Sequence, residues 1–287
     1  MTAQAQPKSF DVRLPARDGF QLSTTQYHPG ESTGRVAVIN SATAVPRRFY
    51  RHFAAALAAR GYHVVTYDYR GTGGSRPESL RGFQATMRDW AFQDMAGVID
   101  WVSDELAPSQ LCLIGHSFGG QAAGLLDNHH HVDAMLTLSS QSGYWRHQGG
   151  EQKWVVAMHV YLNLPLLAHI MGHMPWRWFG GEDLPKGVAL EWARWCRDPR
   201  YLLGDDSLPL ERYQGFEAPV LAYSIADDKW GTPRAVDAMM SAYPNLERRH
   251  LDGAEAGIRK VGHMGFFRPA SEPLWDEPLS WLDATLC

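Results

Sequence analysis

LIGHSFGGQ, from Leu113 to Gln121, is the stretch of sequence that decides the fold. Its centre, from Gly115 to Gly119, satisfies Gly-x-Ser-x-Gly, with a buried-strand pattern before it and a possible helix after it. In a sharp strand-to-helix turn the serine hydroxyl is exposed, and side chains two positions away on either side would collide, so glycines are needed. The turn also sets the serine at a helix N-terminus, which stabilises developing negative charge. This context favours Ser117 as a nucleophile over a structural turn serine.

A serine hydroxyl needs a base to take its proton, and in this arrangement an acid and then a histidine follow the serine along the chain. The strand pattern APVLAYSI is followed by ADDKWGTP, which places Asp227 and Asp228 at a strand's carboxyl end. His263 lies in VGHMGFFR, after the last strand pattern. The alignment favours Asp228 as the acid. In the alternative, Asp227 is the acid and Asp228 caps the helix that begins at Pro233.

Short β-rich runs alternate with helical runs on both sides of this turn. Two early runs, SFDVRLPA and GFQLSTTQYH, predict a hairpin. RVAVIN, YHVVTYD, QLCLIG, VDAMLTLSS, APVLAYSI and LERRHLD then predict strands separated by amphipathic helices. This alternation predicts an α/β fold with a mostly parallel sheet and helices on both faces. Ligands bind such sheets at the carboxyl ends of the strands.

One segment interrupts the alternation and divides the predicted domain. Residues 1–142 and 214–287 form the two parts of the α/β core, and residues 143–213 read as several helices with turns at Gly180-Gly181, Pro185 and Pro199. We expect this insertion to form a lid over the carboxyl edge of the sheet. It holds six of the eleven tryptophans, namely Trp145, Trp154, Trp176, Trp178, Trp192 and Trp195.

The composition indicates a soluble protein without nucleic-acid partners. The 287 residues include 27 basic and 31 acidic ones, with no basic face. The three cysteines have neither metal-ligand nor disulfide spacing, so we expect no metal site and a reducing, cytoplasmic location. The first residues lack a signal-peptide pattern. The most apolar stretch, Trp154–Gly172, contains His159, Asn163 and Pro165, which argues against a membrane span.

The motifs GHSFGG, YDYRGTGGSRP, DDKWGTP and VGHMGFFR together resemble the α/β-hydrolase superfamily. The chain is most similar to bacterial serine hydrolases related to the monoacylglycerol-lipase and serine-aminopeptidase branches. Many members carry His-Gly after the third strand, where this chain has Asn40-Ser41. The resemblance implies an oxyanion hole formed by the backbone N–H groups of Phe118 and Ala42, or of Thr43 in place of Ala42. The hole needs backbone donors rather than a particular side chain, so this departure does not disable it.

The function that these observations predict is a serine hydrolase with an acyl-enzyme intermediate, acting on an apolar small-molecule ester without a cofactor. An acyltransferase or a thioesterase would use the same acyl-serine, and an inactive binding protein on this scaffold is a third alternative. The sequence does not indicate an oligomeric state. Ser41 and Thr43 are also explained by hydrogen bonds within their loop, and Met264 by packing. The candidate substrate contacts are Ser41, Thr43, His116, Trp145, Trp230 and Met264.

Overall fold

An eight-stranded sheet forms the centre of the computed structural model, which describes residues 7–287. The strands in chain order are β1 (Lys8–Pro15), β2 (Gln21–His28), β3 (Arg35–Asn40), β4 (His63–Tyr67), β5 (Gln110–His116), β6 (Ala134–Leu138), β7 (His173–Met174), β8 (Leu184–Pro185), β9 (Val220–Ile225) and β10 (Leu246–Leu251). The sheet has the order β1-β2-β4-β3-β5-β6-β9-β10, and β7 pairs with β8 separately. Across the eight-stranded sheet, every neighbouring pair in the run β4-β3-β5-β6-β9-β10 is parallel. The pairs β1–β2 and β2–β4 are antiparallel.

Helices cover both faces of this sheet. They are α1 (Arg51–Ala59), α2 (residues 87–106, with two π-helical stretches), α3 (Phe118–Gln121), α4 (Gln152–Met171), α5 (Lys186–Arg197), α6 (Pro233–Met240), α7 (Gly262–Gly265) and α8 (Asp276–Thr285). The predicted α/β fold, a mostly parallel sheet with helices on both faces as the resemblance to the α/β-hydrolase superfamily implies, is confirmed. The start of the chain, where we expect no signal peptide, falls mostly on residues 1–6, outside the described residues.

The central strands are apolar on both faces because helices cover each face. In β3, Val36 and Val38 pack into the hydrophobic cluster on one side of the sheet. Ala37 and Ile39 point the opposite way and pack into the cluster on the other side. All residues of β6 and β9 are buried as well. This double burial explains why the strands read as continuous apolar runs rather than as alternating ones.

The insertion of residues 143–213 lies between β6 and β9 and contains α4, α5 and the pair β7–β8. Sequence analysis predicts only helices and turns here, and it misses this pair because two residues are too few to show a strand pattern. The inner face of α4 is buried through Val156, Val160 and Leu164. Its outer face exposes large apolar side chains, among them Trp154 and Ile170.

The helix α4 covers the apolar stretch in which the sequence argues against a membrane span. Among residues 7–287, it alone is long and apolar enough, by length and composition, to cross a membrane. The polar residues that argue against a span, such as His159 and Asn163, lie within it. In the folded chain the inner face of this helix packs against α5 and against residues beside Ser117.

The turn at Ser117 depends on a close approach of backbone to backbone. A Cβ atom at Gly115 would lie 2.4 Å from the Cα of Gly120, and one at Gly119 would lie 2.1 Å from the carbonyl oxygen of Asn40. Neither position has room for a side chain, because the neighbouring atoms belong to backbone that cannot move aside. The sequence argument for these glycines is therefore supported by the packing.

We expect Gly119→Ala to destabilise the protein by about 3 kcal/mol or more, because the new methyl group overlaps the end of β3. Urea unfolding measures this change. Gly215→Ala is the matched control, since its Cβ would meet only His129 Cε1, at 3.5 Å. The control should shift the free energy of unfolding by less than about 1 kcal/mol. Equal shifts in the two variants would contradict the packing argument.

Candidate active site

Ser117 sits at the end of β5 in a strained backbone conformation. Its φ of 50° and ψ of −117° lie where residues other than glycine are rare. The N–H groups of Gly120 and Gln121 both donate to the Ser117 carbonyl oxygen, so α3 begins directly after the serine. The N–H of Phe118 donates to no acceptor within residues 7–287 and remains available at the helix N-terminus. The Ser117 hydroxyl donates a long hydrogen bond of 3.4 Å to Gln141 Oε1.

His263 pairs with Asp228. The Nδ1 of His263 lies 2.8 Å from Asp228 Oδ2, and Trp230 N–H donates to Oδ1 of the same carboxylate at 2.8 Å. Burial by itself would raise the pKa of Asp228, but the charge of His263 and its hydrogen bond hold that pKa below its usual range. An ionised Asp228 accepts the Nδ1 proton of His263, which leaves Nε2 free to accept a proton.

Asp227 has a different partner. Its carboxylate accepts hydrogen bonds from the N–H groups of Val261, at 3.0 Å, and Gly262, at 2.7 Å. It therefore anchors the loop that carries His263 without touching the imidazole. The cap of α6 comes from Thr232, whose hydroxyl accepts from Ala235 N–H at 3.2 Å. Of the two acids that the sequence leaves open, Asp228 is the one paired with His263.

A buried chain of hydrogen bonds joins the loop after β3 to the loop of His263. The Nε2 of His116 lies 2.9 Å from the carbonyl oxygen of His263, so it carries the proton and donates. The Nδ1 of His116 must then accept, and it does so from the Tyr50 hydroxyl at 2.8 Å. The Tyr50 oxygen in turn accepts from Ala42 N–H at 2.9 Å. These bonds hold the two loops in register from inside the core.

This row of hydrogen bonds contradicts the prediction that the Ala42 N–H is an oxyanion donor. The N–H of Ala42 is engaged with Tyr50, so it does not point at a substrate oxygen. The N–H of Thr43, the alternative left open by the sequence, has no acceptor within the described part of the chain. Thr43 also lines both cavities beside Ser117. Phe118 and Thr43 are thus the pair with available backbone donors.

Two cavities meet at Ser117. The larger, of about 530 Å³, is open to solvent, and Ser117 and His263 both line it. The smaller, of about 20 Å³, is more enclosed and lies behind Ser117 against the insertion. Ser117, Gln141 and Thr43 line both cavities. A reacting carbonyl group at Ser117 would therefore have one substituent on each side.

The candidate substrate contacts divide into two groups. Thr43 and Trp230 line both cavities, and Met264 lines the larger one. Three others line neither of these two cavities. Ser41 and His116 are buried, and the ring nitrogens of His116 are both engaged, as described above. Trp145 packs against Trp154 and Tyr161 in the insertion.

Sequence analysis misses several residues at this site, among them Tyr50, Gln141, Trp176 and Trp192. Gln141 is part of a polar run, SSQS, that follows β6, and a polar run after a buried strand at this edge is a readable signal. Tyr50 has no such signal, because its pattern is that of any buried aromatic residue. The tryptophans belong to the insertion, whose packing the sequence does not reveal.

Two other kinds of reactive group would be alternatives to Ser117 among the described residues, a nucleophilic thiol and a metal-binding cluster. Cys196 lines the smaller cavity, but burial raises the pKa of its thiol, so it stays protonated and unreactive. No group of three His, Cys, Asp or Glu side chains within residues 7–287 could hold a metal ion.

We expect the buried His116 to make folding sensitive to acid. Burial, together with the charge of His263, lowers the pKa of His116 from 6.5 to about 3. Between these values the unfolded chain binds the proton and the folded chain does not, so the free energy of unfolding falls as the pH drops through this range. One such proton contributes up to about 1.4 kcal/mol per pH unit.

The measurement is urea unfolding of the wild type and of His116→Gln between pH 6.5 and pH 4. The slope against pH should be shallower in the variant, because the titrating group is gone while the carboxylates remain. His130→Gln, at an exposed position, is the control and should keep the wild-type slope. A wild-type slope in His116→Gln would show that His116 is not held neutral by folding.

Solved structures share this architecture at low sequence identity. An esterase of Pyrococcus furiosus superposes with a TM-score of 0.63 at 15% identity, over 98% of this chain and 92% of that one. The esterase domain of a Rhodothermus marinus protein gives 0.59 at 17% identity, over 98% of each chain. A serine hydrolase without a lid from Xanthomonas campestris gives 0.56 at 14% identity, over 96% of this chain and 94% of that one. At such identities the likeness shows the fold alone.

The sequence comparisons show the family as well as the fold. A lysophosphatidylserine lipase of Danio rerio is 38% identical over 72 residues, which are 24% of this chain and only 17% of that protein. The model of the "Alpha/beta hydrolase family" matches residues 37–272, which is most of the chain. The superfamily resemblance indicated by the motifs is confirmed, and the placement in one branch stays a prediction. The chain belongs to the alpha/beta hydrolase family.

Proposed function

We propose that the protein is a serine hydrolase that cleaves carboxylic esters through an acyl-enzyme on Ser117. The observation that carries the proposal is the 2.8 Å hydrogen bond between His263 and Asp228, on the wall of the cavity that Ser117 lines. A nucleophile, a base and a buried acid that orients the base are the three parts that acyl transfer to serine requires. Esterases among the structural relatives agree with this chemistry.

In the first half-reaction Ser117 Oγ attacks the ester carbonyl carbon and passes its proton to His263 Nε2. The carbonyl oxygen becomes an oxyanion between the N–H groups of Phe118 and Thr43. The bond to the alcohol then breaks, and the alcohol oxygen takes the proton from His263. In the second half-reaction water gives a proton to His263 Nε2 and attacks the acyl carbon. The bond from that carbon to Ser117 Oγ then breaks, Oγ takes the proton back from His263, and the acid leaves.

The resting site needs one rearrangement before attack. Ser117 Oγ hydrogen-bonds Gln141 at 3.4 Å, so it must leave this partner by rotation about its Cα–Cβ bond before it passes a proton to His263. A hydrogen bond this long is weak, so the rotation is easy. Catalytic hydrogen bonds commonly tighten only when substrate is bound. Asp228 and Asp227 hold the imidazole and its loop in place during this change.

The insertion of residues 143–213 acts as the lid of this site. It brings Trp176 and Trp192 to both cavities beside Ser117, so an apolar ester group contacts aromatic surface there. The free cysteines of the described chain agree with action in a reducing compartment, the cytoplasm.

A fluorophosphonate probe tests the nucleophile. It should label the wild type and leave Ser117→Ala unlabelled, because the probe reacts only with an activated serine. Hydrolysis of 4-nitrophenyl acetate, followed by absorbance, should disappear in the same variant. Equal labelling of the two proteins would contradict the assignment of Ser117 as the nucleophile.

The neighbouring aspartates give a matched test of the acid. Asp228→Asn should lower kcat by about 10⁴-fold, since the amide cannot stabilise the imidazolium or hold the correct tautomer. Asp227→Asn keeps one of the two oxygen acceptors of the loop N–H groups and leaves the partner of His263 intact, so its effect on kcat should be far smaller. Steady-state kinetics on 4-nitrophenyl acetate compares the variants, with circular dichroism as the folding control. Equal losses of kcat would contradict the assignment of Asp228.

A further inference from the structure

The two cavities at Ser117 differ in size and in what lines them. The larger has a volume of about 530 Å³ and the smaller about 20 Å³. His263 lines only the larger one, together with Met264. The smaller is enclosed by the inner face of α4 and by Tyr201 and Cys196. The two substituents of a bound ester therefore meet very different surroundings.

The position of His263 decides which substituent enters which cavity. On the proposed function, on which this inference rests, His263 delivers the proton to the alcohol oxygen as that oxygen leaves Ser117. The alcohol must therefore lie on the side of His263, in the larger cavity. The acyl chain extends from the other side of the carbonyl carbon, toward the smaller cavity.

The smaller cavity has room for very little. A single water needs about 10–15 Å³ of such volume, so 20 Å³ accommodates one or two heavy atoms. An acetyl group extends one carbon beyond its carbonyl, and a propionyl group two. A longer chain would overlap the walls.

The walls of the smaller cavity are closely packed. Leu164 and Val160 come from the buried face of α4, and neither has notable exposure to solvent. On the opposite wall, a Cβ atom at Gly143 would lie 2.6 Å from Tyr201 and 2.8 Å from Cys196 Sγ. Side chains packed this closely do not move aside for added methylene groups without cost.

The larger cavity imposes no such limit. Its volume falls in the range of about 300–1,000 Å³ that is usual for sites of drug-sized ligands. Phe49, Trp176 and Phe179 supply apolar and aromatic surface along it. Arg48, Glu182 and Arg268 also line this open cavity, so a bulky apolar alcohol would contact the aromatic rings next to its proton donor without being fully desolvated.

We propose that the enzyme is selective for esters that join a very short acid, acetate or propionate, to a large apolar alcohol. The smaller cavity selects the acyl group by exclusion, and Leu164 is its specificity-determining residue. The larger cavity accepts the alcohol and tolerates variation in its size.

Two series of aryl esters measure the two sides of the substrate separately. In the first, 4-nitrophenyl acetate, propionate, butyrate and hexanoate vary only the acyl chain. Beyond propionate, kcat/KM should fall by about tenfold or more at each step, since a single misfitting methylene group changes discrimination by at least that much. In the second, the acetates of phenol, 2-naphthol and 4-phenylphenol vary the alcohol, and kcat/KM should not fall as the alcohol grows.

A pair of variants on α4 tests the wall itself. Leu164→Ala enlarges the smaller cavity and should raise the ratio of kcat/KM for butyrate to that for acetate by about tenfold or more. Leu166→Ala, on the exposed face of the same helix, is the matched control and should leave the ratio unchanged. Val160→Ala removes less volume and should change the ratio in the same direction, which keeps the test decisive if Leu164→Ala does not fold.

The outcomes separate this inference from the proposed function. Hydrolysis of the hexanoate as fast as the acetate, by a protein whose Ser117 reacts with the probe, would overturn the selectivity and leave the serine hydrolase standing. An unchanged ratio in folded Leu164→Ala would overturn the role of Leu164. A protein that neither reacts with the probe nor cleaves any ester would lose the proposed function, and the selectivity with it.

Discussion

The contact between the turn at Ser117 and the end of β3 is the constraint on which the site depends. Gly119 lies so close to the Asn40 carbonyl oxygen that no side chain fits between them. Ser117 stands two residues before this contact in a strained conformation, and α3 begins directly after it. This contact also brings the free N–H of Phe118 beside the loop that carries Thr43. The start of α3 and the end of β3 therefore meet in one close packing contact beside the nucleophile.

The second organising element is the buried chain from Ala42 through Tyr50 and His116 to the carbonyl of His263. It works only with a neutral His116, because one ring nitrogen must donate and the other must accept. Burial enforces that state by lowering the pKa. His116, the residue before Ser117, therefore holds the backbone of the loop that carries His263, while Asp228 orients the His263 ring. Loops from distant parts of the chain are held by polar contacts inside an apolar core.

The insertion contributes the inner face of α4 and, from outside that helix, residues such as Trp176, Trp192 and Tyr201. The inner side chains of α4 close the smaller cavity, and the fit there depends on a few methyl groups. On the proposed function, the reacting groups and much of the substrate's surroundings come from different parts of the chain. The parallel sheet brings the reacting groups together, and the insertion supplies part of the walls around them.

The sequence by itself determined the fold and the order of the reacting residues, because Ser117, the two aspartates and His263 each follow a recognisable strand pattern or its loop. Neighbouring aspartates share the same local pattern, so only the direction of the side chains, set by tertiary packing, paired Asp228 with His263. The Tyr50 hydroxyl oxygen accepts a hydrogen bond from the Ala42 N–H, and no sequence pattern indicates this contact. The size of the two cavities was likewise decided by tertiary structure, because periodicity shows which face of a helix is buried but not what it packs against.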